Sequence, residues 1–82
     1  MYTVVWYQDG TDREHSICAG NNIDAWNIYW IIQSYLKTQY NDDGQSWIAV
    51  YHNGLAVDPT KGSFLPVLPP NAKTRILIKN LA

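Results

Sequence analysis

The chain has 82 residues, 46% hydrophobic and 16% charged, with a formal net charge of −1. That length admits one domain, residues 1–82, and that composition excludes a disordered chain. The near-neutral balance lacks both the basic footprint of a general nucleic-acid binder and the acidity of a nucleic-acid mimic, and the lone Cys18 excludes an intrachain disulfide or a four-thiolate metal centre.

Tyr2, Val4 and Trp6 alternate with Thr3, Val5 and Tyr7 in a run of β-branched and aromatic residues, the pattern of a strand. Asp9-Gly10 reads as its turn, and Glu14 to Ala19 as the returning strand, so residues 1–20 form an expected hairpin. Asn21 and Asn22 can each cap a helix start, with Asp24 in the first turn opposing the positive helix end. The predicted helix runs from about Ile23 to Tyr40. Ala25, Ile28, Ile32 and Leu36 form its inward stripe, with Tyr29 and Tyr35 beside it. Trp26, Trp30 and Ile31 exceed the width of that stripe. Asn41-Asp42-Asp43-Gly44 ends the helix.

Trp47 to Tyr51 reads as a short strand leading into Asn53-Gly54, a dipeptide suited to a type I′ turn, with Leu55 to Val57 returning. Asp58 to Gly62 and Pro66, Pro69 and Pro70 mark a long connection, anchored by Phe64, Leu65, Val67 and Leu68. Thr74 to Leu81 is the closing strand, with Ile76 and Ile78 on one face and Arg75, Leu77 and Lys79 on the other. The class is therefore α+β, with one helix on a mixed sheet in ββαβββ order.

This order resembles the β-grasp architecture of ubiquitin-like proteins, on the opening strand Tyr2 to Trp6, the turn Asp9-Gly10, the helix capped at Asn22, the segment Val50 to Val57 and the closing Lys73 to Ile78. The resemblance implies that the first and last strands lie parallel at the sheet centre. The helix followed by Asn41 to Gly44 and Trp47 also looks like the small immunoglobulin-binding domains of that architecture. Ubiquitin-like conjugation and sulfur transfer use a C-terminal Gly-Gly, whereas this sequence ends Asn80-Leu81-Ala82, so neither activity is expected.

His15, Cys18 and His52 are the residues from which a nucleophile or metal site could be built. In a regular strand, His15 and Cys18 point to opposite faces, so no metal or cofactor is expected. The serines lie in no nucleophile-elbow context and no phosphate-binding glycine loop is present, so the chain is read as a non-enzyme. The positive signal is a surplus of large rings. If Tyr2, Val4, Trp6, Ile48, Val50, Ile76 and Ile78 face the helix, then Val5, Tyr7, Trp47, Tyr51 and Leu77 face outward beside Arg75 and Lys79.

The expectation is a small protein-interaction module, an adaptor or inhibitor of the kind small phage and bacterial genomes encode. Its partner-binding candidates are Trp26, Trp30, Trp47, Tyr51, Tyr7, Leu77, Arg75 and Lys79, with self-association through the helix as one form of the interaction. The alternative is single-stranded nucleic-acid binding, with Trp47 and Tyr51 stacking on bases and Lys73, Arg75 and Lys79 meeting phosphates. No long apolar run or basic N-terminal flank suggests a membrane span or signal peptide, and the single cysteine suits the cytoplasm.

Overall fold

The computed structural model describes residues 1–8, 13–40, 46–59 and 75–77. Five strands and one helix follow the expected ββαβββ order: β1 (Tyr2–Tyr7), β2 (His15–Ala19), α1 (Asn22–Tyr40), β3 (Trp47–His52), β4 (Leu55–Val57) and β5 (Ile76–Leu77). The expected turn at Asp9-Gly10, the helix end at Asn41 to Gly44, the proline-rich connection beyond Pro59 with its anchors Phe64, Leu65, Val67 and Leu68, Lys73, Ile78, Lys79 and the last residues lie outside the described residues.

The sheet order is β2-β1-β3-β4, with β5 pairing β3 beside β4. β1 pairs β2 from Tyr2↔Ala19 to Trp6↔His15 and pairs β3 from Tyr2↔His52 to Tyr7↔Trp47. Both pairings are antiparallel, so β2 and β3 run in the same direction on either side of β1. α1 makes the connection, carrying the chain back over one sheet face from the Ala19 end to the Trp47 end. Nineteen residues span about 28 Å at the rise of an α-helix, longer than the strands it covers.

The α+β class and the helix on one sheet are as expected, but the pairing implied by the β-grasp resemblance is not. The described pairings are all antiparallel, and β1 lies against β3 rather than against the closing strand. The reason lies in the match between β1 and β3. Val4 faces Val50 and Trp6 faces Ile48 across six aligned positions, while Tyr2 stacks on His52 and Tyr7 on Trp47. With both edges of β1 occupied, β5 joins the far edge of β3 through Trp47↔Leu77 and Ile48↔Ile76, and β4 takes the rest of that edge through Val50↔Val57.

Local signals explain the boundaries. Asn21 is the N-cap: its side-chain oxygen accepts from the Asp24 N–H at 2.9 Å, and its amide donates to the Asp24 carboxylate at 3.0 Å. The β3–β4 turn has positive φ at Asn53 (52°) and Gly54 (84°), as a two-residue primed turn requires. The Asn53 N–H donates to the Met1 carbonyl at 2.8 Å, fastening this turn to the start of β1.

The core comprises Tyr2, Val4 and Ala19 from the hairpin, Ile48, Val50 and Val57 from the second half of the sheet, and Ala25, Tyr29 and Leu36 from α1. Trp6, Trp26, Ile28, Ile32 and Ile76 pack around it, partly buried. The inward stripe of α1 is therefore rotated from the expected one: Tyr29 is buried as expected, but Gln33 is buried too, Ile28 and Ile32 are only partly buried, and Tyr35 is exposed.

Candidate interaction surface

Alternation along the strands sorts the expected site residues. Tyr7, Trp47, Tyr51 and Leu77 occupy the sheet face away from α1, aligned through Tyr7↔Trp47, Trp47↔Leu77 and Tyr51↔Ala56. They do not form an open aromatic platform. Trp47 retains only 9% of its accessible surface, and Tyr7, Tyr51 and Leu77 are half-buried. The Arg75 guanidinium lies over the Trp47 ring, 4.3 Å from its centroid, and donates to Glu14 at 3.2 Å. The expected basic rim is thus, at Arg75, a lid tied to a carboxylate. Lys79 lies outside the described residues.

The helix presents the opposite case. Trp26 is half-buried against the core and meets Trp30 edge to face, their ring centres 5.6 Å apart. Trp30 is 44% exposed, Ile31 68%, Ile23 68% and Tyr35 45%. Asn27, Ser34 and Thr38 are exposed between them. At 100° per residue, positions 23, 27, 30, 31, 34 and 38 share the helix face turned from the sheet. None of the six is charged; the helix has Asp24 in its first turn and Lys37 in its last. A solvent-facing helix surface normally carries charged and polar side chains. Here Ile23, Trp30 and Ile31 stand on it among Asn27, Ser34 and Thr38, with Tyr35 exposed at its border.

The sequence pattern does not single out Ile23, and it sets Tyr35 beside the inward stripe. The uncharged run between Asp24 and Lys37 is the signal for Tyr35, and the helical spacing of Ile23 from Asn27 and Trp30 is the signal for Ile23. Ile17, also exposed, lies on β2 at the edge of the sheet.

His15 and Cys18 do not converge. His15 is paired with Trp6 and stacks on it on the helix side, whereas Cys18 is opposite Thr3 on the other face, with its sulfur 3.7 Å from the Thr3 hydroxyl. His52 is stacked on Tyr2. Among the described residues, no group of three or more His, Cys, Asp and Glu side chains is placed to hold a metal ion. Two buried polar atoms, His15 Nε2 and Gln33 Oε1, have no hydrogen-bond partner among the described residues. Among those residues no helix is long and apolar enough to cross a membrane.

No protein-family model, no curated protein and no solved structure matches this chain.

Proposed function

We propose that the chain is a non-enzymatic protein-interaction module, acting as an adaptor or inhibitor, that docks a protein through the outward face of α1 with Trp30 and Ile31 at its centre. One observation carries this reading: an uncharged helix face bearing Ile23, Trp30, Ile31 and Tyr35 in water, opposite a buried stripe that already closes the core. Large exposed apolar side chains clustered on one face are characteristic of interfaces, in which Trp and Tyr are enriched. The partly exposed Trp30 supplies the large anchor that such interfaces use. A reducing compartment such as the cytoplasm suits an exposed, unpaired Cys18.

Single-stranded nucleic-acid binding through the sheet has weaker support. Base stacking needs an accessible ring face, and Trp47 lies beneath Arg75, whose charge is directed to Glu14.

The test is a comparative capture from lysate of the source organism, using immobilised wild type, Trp47→Ala, Trp30→Ala and Ile31→Lys. A protein retained by wild type and Trp47→Ala but lost from the two helix variants supports the reading. Equal retention by all four refutes it.

A further inference from the structure

The outward face of α1 has an internal symmetry. Between Asp24 and Lys37, the exposed positions are Asn27, Trp30, Ile31, Ser34 and Tyr35; the first four lie evenly about the midpoint between Trp30 and Ile31, with Tyr35 at the border of the face. Thr38 extends the series at one end as Ile23 does at the other. From this arrangement, and resting on the interaction reading above, we propose that the partner is a second copy of the chain, docked helix to helix in antiparallel orientation about a two-fold axis passing between Trp30 and Ile31.

An isologous interface needs a patch complementary to itself. A two-fold axis at this midpoint sets Trp30 beside the partner's Trp30 and Ile31 beside the partner's Ile31, forming an apolar centre. Asn27 comes level with the partner's Ser34, a polar pair able to hydrogen bond. Ile23 comes level with the partner's Thr38.

The charges select the orientation. Antiparallel docking brings the end bearing Asp24 to the end bearing the partner's Lys37, and opposes the two helix dipoles. Parallel docking would bring Asp24 to Asp24, Lys37 to Lys37 and like dipole ends together. No charge lies between the two ends of the face, so copies meeting there bury no like pair.

Size sets the expected strength. At their observed exposures, Ile23, Trp30 and Ile31, with Tyr35 at the border of the face, expose on the order of 500 Å² per copy, so even wholly covered they bring two copies only to roughly the 1,000 Å² at the lower end of specific interfaces. The association is therefore weak and concentration-dependent, and the helix face is open in the dilute monomer.

Sedimentation equilibrium from micromolar to about millimolar protein tests this. Wild type is expected to rise towards twofold its monomer mass, while Ile31→Lys remains monomeric with an unchanged far-UV circular dichroism spectrum. Orientation is read by disulfide trapping in a Cys18→Ser background. After air oxidation, Asn27→Cys mixed with Ser34→Cys is expected to give severalfold more cross-linked dimer than either variant alone. A wild type that stays monomeric at all concentrations overturns the proposal, as does a dimer that Ile31→Lys leaves intact or one that traps best through Asn27→Cys alone. If the wild type is monomeric but Trp30→Ala and Ile31→Lys still lose a captured protein, self-association fails and the interaction reading stands.

Discussion

Arg75 covers Trp47: its guanidinium carbon lies 4.3 Å from the ring centroid, and one of its nitrogens reaches Glu14 at 3.2 Å. The side chain thus ties β5 to the segment preceding β2 across the two central strands. Arg75 and Glu14 are each more than half exposed, so water and salt screen the ion pair and its expected worth is below about 0.5 kcal/mol. The ring contact is the larger part, about 0.5–1 kcal/mol at an exposed site. Arg75→Ala should therefore lower stability by about 1 kcal/mol and red-shift tryptophan emission as Trp47 meets water. Glu14→Gln should leave both nearly unchanged. Urea titration followed by fluorescence measures the two variants together.

The pairing of Arg75 with Trp47 marks the boundary of what the sequence makes legible. Alternation places Trp47, Leu77 and Arg75 on one sheet face, and the register agrees. Alternation does not say whether a ring on that face is open or covered, because covering depends on residues distant in the chain, here Arg75 and Glu14. Strand pairing is similarly non-local. Tyr2 to Trp6 reads as a strand from its own residues, yet its neighbour is decided by which segment offers matching partners, and Val50, Ile48 and Trp47 do so. The helix stripe was legible to within a rotation. Ala25 and Leu36 are buried as periodicity requires and Tyr29 beside them as expected, but Gln33 takes the place expected for Tyr35 at the border. Period alone fixes the spacing of a buried stripe, whereas the tilt of the helix on a twisted sheet fixes its edges.

The Asn53-Gly54 turn was legible from its dipeptide, and its backbone makes a prediction. Gly54 has φ of +84° with open space around the position of an added Cβ. The cost of a side chain there is consequently conformational rather than steric crowding by neighbours. Gly54→Val should destabilise by about 1–2 kcal/mol, and Gly54→Asn by less, because Asn tolerates the left-handed region. Thermal melts of the two variants provide the comparison.

The buried Gln33 supplies a stabilising substitution. Its side-chain oxygen is sealed from solvent with no partner among the described residues, and leaving such an acceptor unsatisfied costs about 1–3 kcal/mol. Gln33→Leu removes the polar atoms, retains helix propensity and places an apolar group beside Tyr29 and Leu36. The expected gain is about 1 kcal/mol, seen as a higher denaturation midpoint with an unchanged slope.

The two sides of α1 should respond differently to truncation. Leu36 is fully buried in the core, so Leu36→Ala removes apolar contacts and leaves a cavity, at a cost of about 2–5 kcal/mol. Ile31→Ala, on the outward face, should change monomer stability by no more than about 0.5 kcal/mol. Chemical denaturation at low protein concentration makes the comparison on the monomer.

Tyr29 gives the fold an alkaline limit. Burial, and secondarily the nearby charge of Asp58, push its hydroxyl from the usual 10.0 up to about 12. The neutral phenol is therefore favoured in the folded chain relative to the unfolded one. Below pH 10 both states hold the proton and the stabilisation is complete. Above pH 10 the unfolded chain releases it while the folded chain retains it, so stability falls as pH rises towards 12, by on the order of 2 kcal/mol across that window. Tyr29→Phe has no proton to release at this position and should flatten the decline between pH 10 and 12, whatever its effect on stability at neutral pH. Asp58→Asn, which removes the second cause and leaves burial in place, should flatten it only partly. Urea unfolding at closely spaced alkaline pH values reads these slopes, and a Tyr29→Phe slope equal to that of wild type would show that the phenol is not the group responsible.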